Sequence, residues 1–262
     1  MFALFVILAV LAVVFAQNPA VPTLPAQYMV TNVNMVMNTN AGYPPHYTET
    51  DSAQYFDIEL QMERYDVKSA SYGTKGPYST IYNYNQLFPV NCGGSYSDMQ
   101  APRAYQIVNG KCCYTNLVSD CPYKPVGNNP PPSVDTMYAP SLPKKVAYVG
   151  TVNSDSTDSI PAGASADYWQ YVLYLNHTAP VFEEDFYFAS SDHSTQLGEY
   201  LHMVVGPQFV NATTVYDGTW TLGAQDPSLF DVSGFDCSKQ CSSSVSDHVR
   251  FRNLARRTAN KH

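Results

Sequence analysis

Six cysteines, two glycosylation sequons and a short run of acids are the residues here whose types and spacing could do chemistry. The cysteines are Cys92, Cys112, Cys113, Cys121, Cys237 and Cys241. An even count suits three disulfides in a chain that passes through an oxidising compartment. Zinc is the rival use of thiolates. It favours Cys-x-x-Cys spacing or paired histidines nearby, and neither is present. Cys112 and Cys113 are adjacent, so in a strand they point to opposite faces and should serve different bridges. A bridge from this pair to Cys237 would close a loop of about 125 residues. The chain-entropy treatment values such a closure at about 4–5 kcal/mol. Asn176-His177-Thr178 and Asn211-Ala212-Thr213 match the glycosylation sequon. A sequon that is used must face solvent.

Glu183-Glu184-Asp185 and Asp155-Ser156-Thr157-Asp158 offer hard oxygen ligands, so calcium is the metal to consider. Neither has the spacing of an EF-hand loop. A solvated strand start and a polar turn are the plainer readings. The six histidines are scattered. His193 sits in a Ser/Asp-rich loop stretch, and His202 lies within an apolar strand pattern, where a wet-face or a hydrogen-bonded histidine is expected. The sequence holds no Gly-x-Ser-x-Gly elbow, His-Glu-x-x-His helix, phosphate loop or dinucleotide fingerprint. These residues point to binding rather than catalysis, with no catalytic residue and no obligatory cofactor expected.

Two aromatic and aliphatic sets are the raw material for a binding pocket. Phe56, Ile58, Leu60 and Met62 alternate with Asp57, Glu59, Gln61 and Glu63, the period-2 pattern of a strand with one buried face. Trp169, Tyr171, Leu173 and Leu175 form a second such set. The same residues would fill an ordinary core, whereas a ligand site would be mostly apolar with few polar groups.

These groups must be positioned by strands. Residues 28–37, 78–85, 145–152, 167–176, 181–189, 199–206 and 208–216 read as strands, and 103–117 reads as a hairpin turning at Asn109-Gly110. Seven prolines interrupt 122–145, which joins either two domains or two halves of one sheet. Charged residues make up only 14% of the chain, and 21 tyrosines supply much of its polar surface. A formal charge of −8 argues against nucleic acid as a partner. The basic residues are unevenly spread, and five of the 14 fall in a tail, 242–262. Phe2–Ala16 is uninterruptedly apolar but shorter than the roughly 20 residues that span a bilayer. With small residues before Gln17 it reads as a secretory signal peptide, residues 1–16, and no other segment approaches spanning length. Residues 17–54 read as an N-terminal lead-in, Pro-rich over 17–27 and with one strand, and 55–241 as the β domain.

The second half carries a family resemblance. Ile160-Pro161-Ala162-Gly163-Ala164 resembles the "LPAGA" that precedes a strand in ependymins. Residues 167–176 resemble the aromatic-rich strand that follows. Glu199-Tyr200 to Val204-Val205-Gly206 resembles the family's "G-x-Y-x-V" strand. Asp226-Pro227-Ser228-Leu229-Phe230 followed by Cys237 is similar to its terminal "DPSxF…C" motif. In the first half, Tyr105-Gln106-Ile107 before Cys112 and Cys113 resembles a strand ending in a bridged cysteine. The chain resembles the ependymin-related family over 55–241, most closely over 160–237. It departs in having no cysteine before Cys92 and none near Pro207 and Gln208. The resemblance implies a mainly β fold of the LolA-like type, a strongly curved antiparallel half-barrel with few short helices and an apolar concavity. It implies a bridge from Cys112 or Cys113 to Cys237. It also implies a secreted or lysosomal glycoprotein that binds a lipid-like molecule. Calcium, cell–matrix contact and a homodimer come with it. An adhesive matrix protein without a small ligand is the alternative.

Overall fold

The computed structural model describes residues 19–40, 46–71, 76–89, 100–117, 146–175, 179–205 and 208–242. The expected signal peptide, the Pro-rich 122–145, Cys92, Cys121, Asn176 and the tail beyond Ser242 lie outside these residues.

The chain opens with β1 (Gln27–Thr39), β2 (His46–Asp57), β3 (Met62–Val67) and the two-residue β4 (Ser69–Ala70). There follow β5 (Tyr78–Pro89), β6 (Gln100–Val108) and β7 (Lys111–Asn116). The second half supplies β8 (Ala147–Asn153), β9 (Ser165–Leu175), β10 (Ala179–Ala189), β11 (Gln196–Val205), β12 (Gln208–Tyr216) and β13 (Trp220–Leu222). All join one antiparallel sheet in the order β7-β6-β5-β3-β2-β1-β12-β11-β10-β9-β8. Off this path, β4 pairs with β2, and β13 pairs with β1 beyond the end of β12. The mainly β expectation holds. The sheet is open and only somewhat curved, less bent than the half-barrel expected.

Two hairpin meanders, β1–β7 and β8–β12, meet where β12 pairs with β1 from Val33–Tyr216 to Thr39–Val210. The Pro-rich stretch therefore falls between two halves of one sheet in the chain. β1 is flanked on both sides, so the β unit begins at Gln27 rather than at the expected boundary of 55. A bulge keeps β1 in phase. Asn32 adopts φ 55°, and the spacing Val30, Val33, Met35, Met37 then puts these four side chains on one buried face. Asn tolerates this left-handed conformation better than most residues.

The alternation through residues 55–63 is not one strand. Residues 58–61 turn the chain from β2 into β3. Asp57 is buried and ties this turn, its Oδ1 accepting from the backbone N–H of Glu59 and of Leu60 at 3.0 Å each. Phe56 is buried, Ile58 and Leu60 sit half-buried in the turn, and Met62 faces away from the buried Glu63. The expected four-residue apolar stripe is thus broken up. The β6–β7 hairpin turns at Asn109 and Gly110 with φ of 51° and 73°, as the Asn-Gly signal predicts.

Edge strand β7 is covered by the C-terminal segment. Tyr114 donates its N–H to Lys239, and Cys241 donates to Tyr114, at 2.9 and 2.8 Å. Cys112 bridges Cys237, and Cys113 bridges Cys241. Cys112 shares a face with Ile107 and Cys113 with Gln106, so the segment is stapled from both sides of the strand.

Candidate ligand site on the buried face of the sheet

One face of the sheet carries an almost continuous aromatic and aliphatic layer. Near its middle, Tyr47 on β2 and Tyr78 on β5 both donate to Oε1 of Glu49, each at 2.6 Å. Glu49 is 1% exposed. A carboxylate so deeply placed is tolerated only with strong donors, and two phenols supply them. Burial, and then the Glu49 charge, push the Tyr47 phenol far above its ordinary range. A second polar group lies on the same face. Gln54 donates through Nε2 to the Tyr28 hydroxyl at 2.9 Å and to Glu63 at 3.1 Å. The layer is therefore apolar with a few fixed polar points.

Towards β8 the layer becomes an aromatic cluster. Trp169 on β9 lies opposite Phe186 on β10 and Tyr148 on β8. It packs with Phe186 and Phe188, against half-buried Leu24, Val146 and Tyr148. The Tyr148 ring lies 5.3 Å from that of Trp169, tilted by 57°. Trp169 is 3% exposed, and its indole N–H meets no acceptor among the described residues. Tyr171, two residues on, is buried on the same face with Phe182, Leu201 and Met203. Leu173 pairs with Phe182 through the backbone, and its side chain lies outside the description. The structure thus places Trp169 and Tyr171 together and separates them from the hairpin that holds Ile58 and Leu60.

The three adjacent acids are divided by the sheet. Glu183 and Asp185 lie on the opposite face, where Gln170 Nε2 donates to both at 2.9 and 3.1 Å. Glu184 is buried on the aromatic face, between Tyr171 and Leu201. The Glu183-Glu184-Asp185 run therefore does not converge on one point. Among the described residues no group of three His, Cys, Asp or Glu side chains stands together as a metal site. Burial, with Glu183 adding to it, raises the Asp185 carboxyl to about 6, against the opposing hydrogen bond from Gln170.

His193 turns the β10–β11 connection with φ 57° and pairs through Nδ1 with the buried Asp167. His193 lies in a loop, as its Ser/Asp-rich setting predicts, and the contact with Asp167 anchors that loop. His202 is half-buried on the wet face, its Nδ1 bonded to Oδ1 of Asn211.

Sequence reasoning missed Glu49, Tyr47, Tyr78 and the Gln54–Glu63 pair. β2 and β3 put polar residues on the buried face, so hydrophobic alternation is silent there. An alternation of Tyr and Glu at positions 47 and 49 is the one signal that could have marked them.

No protein-family model matches the chain. No curated protein matches it either. Among solved structures, one similar chain is an uncharacterised conserved protein from Thermus thermophilus. It shares 8% identity at a TM-score of 0.38, over 79% of this chain and 85% of that one.

Proposed function

We propose that this chain is an exported binding protein that holds a mostly apolar molecule against the aromatic face of its sheet, near Trp169. The observation that carries this reading is the Trp169 indole. A buried donor left without an acceptor costs about 1–3 kcal/mol. Here it sits inside an aromatic cluster, where a bound molecule with an apolar body and one acceptor, such as a carboxylate or ester, would satisfy it. The mixture of many apolar contacts and few fixed polar groups is what small-molecule sites use. The two disulfides fit export, because such bridges persist in oxidising compartments. A lipid-like ligand is also what the resemblance to ependymins implies. The role is binding without catalysis.

Native mass spectrometry of protein secreted from a eukaryotic host tests the reading. The expected result is an added mass that organic solvent removes. A clean protein mass that persists after incubation with fatty acids and phospholipids would overturn it.

A further inference from the structure

The wet face of the sheet carries a feature that ligand binding does not use. Phe209, Asn211 and Thr213 alternate along β12, so all three side chains stand on that face. β12 is an interior strand, with β11 on one side and β1 on the other. Asn211 pairs with His202 across one ladder and with Asn38 across the other. Phe209 is 37% exposed and Val36, beside Thr213, is 38% exposed. Two of the few exposed large apolar side chains of the described residues therefore flank one sequon.

We propose that Asn211 carries an N-linked glycan whose first sugar lies flat on the sheet and packs against Phe209. Asn211 stands on an interior strand, so its first sugar starts above the sheet face with neighbouring strands beneath it. Its C–H-bearing ring face is apolar and weakly positive, and matches the negative face of an aromatic ring. Phe209 stands two residues before Asn211, one side-chain step along the same face. His202 fixes the amide by donating from Nδ1 to Oδ1, and glycosylation takes Nδ2, so that bond survives the modification. The glycan then covers Phe209 and Val36, which would otherwise be exposed apolar surface. The inference rests on the export part of the functional reading and not on the ligand.

The test uses the full chain, secreted from a eukaryotic host in an Asn176→Gln background so that Asn211 is the remaining sequon. Glycosidase release in heavy-oxygen water, read by peptide mass mapping, should mark Asn211. Thermal unfolding is then compared with and without the glycan, in that background and in Phe209→Ala. Glycan removal should lower Tm by about 2–4 °C when Phe209 is present. In Phe209→Ala the drop should largely vanish. Secreted protein with unmodified Asn211 would overturn the proposal, as would an equal drop in both forms. Failure to enter the secretory route would overturn it together with the export reading. Ligand capture, scored separately on the deglycosylated protein, keeps the two claims apart.

Discussion

Cys112 and Cys113 are chain neighbours, yet their disulfides lie on opposite faces of β7, reaching Cys237 and Cys241 across Cα separations of 4.7 and 4.9 Å. The bridges span 125 and 128 residues, so either one alone closes nearly the same loop. Once one exists, the second closes a ring of only a few residues. The chain-entropy treatment then gives about 2 kcal/mol for losing either bridge alone. Losing both should cost about 6–7 kcal/mol, because the long closure goes as well. Urea unfolding of Cys112→Ser/Cys237→Ser, Cys113→Ser/Cys241→Ser and the fourfold variant checks this. Two single losses that add up to the combined loss would contradict it.

Gly198 on β11 lies directly beneath the loop that leads into β9. A Cβ there would meet the Ser159 carbonyl oxygen at 1.6 Å. That oxygen is main chain and cannot swing aside, so Gly198→Ala must lift the loop, and Ile160 with it, off Tyr187. Overpacking of this kind costs about 1–3 kcal/mol. Thermal unfolding should show a Tm lower by several degrees, on the order of 2–4 °C per kcal/mol for a domain of this size. An unchanged Tm would mean that the loop does not pack as described.

The Glu49 carboxylate depends on its two phenols. Tyr47→Phe or Tyr78→Phe removes one donor from a buried charge without removing the ring. Each should destabilise the fold by about 1.5–3 kcal/mol, the range for hydrogen bonds to charged groups. The pair should be non-additive, since both phenols serve Oε1. Chemical denaturation of the two single variants and the double variant measures the coupling. Independent effects would contradict the shared-oxygen arrangement.

Asp185 gives the fold a pH signature. Its folded carboxyl titrates at about 6, above an ordinary value of 3.8. Between those values the native state keeps a proton that the unfolded chain has released. Stability must therefore fall as pH rises from about 4 to about 6, and the contribution is constant above. Asp185→Asn removes this slope. Subtracting the variant's stability curve from that of the natural protein should leave a decline confined to that window. Parallel curves would contradict the assignment.

The legibility of this fold in its sequence depended on which physical signal each element carries. The β6–β7 hairpin was readable because Asn109-Gly110 supplies the two positive φ angles its turn needs. The division of labour between Cys112 and Cys113 followed from strand alternation alone. The Phe56–Met62 stripe misled because its apolar period continues through a turn set by Asp57, a buried acid that looks like a surface residue. β2 was unreadable because Glu49, Ser52 and Gln54 are polar yet buried. The run Glu183-Glu184-Asp185 looked like one cluster in sequence, and the pleat sends its middle member to the other face. Of the candidate site, Trp169 and Tyr171 were legible as one aromatic face. The acid and phenols that give that face its polar points come from three-dimensional pairing and leave no periodic trace.

The Trp169 indole is the group on which the proposed ligand binding turns. The chain has two tryptophans, Trp169 and Trp220, so a nitrogen-labelled sample gives two indole N–H resonances. Trp169→Phe identifies which belongs to the site. Titration of the delipidated protein with a long-chain fatty acid should move the Trp169 resonance downfield as its N–H gains an acceptor, and leave that of Trp220 in place. A Trp169 resonance that stays fixed while fatty acids, lysophospholipids and their esters are added to saturation would contradict the proposed role.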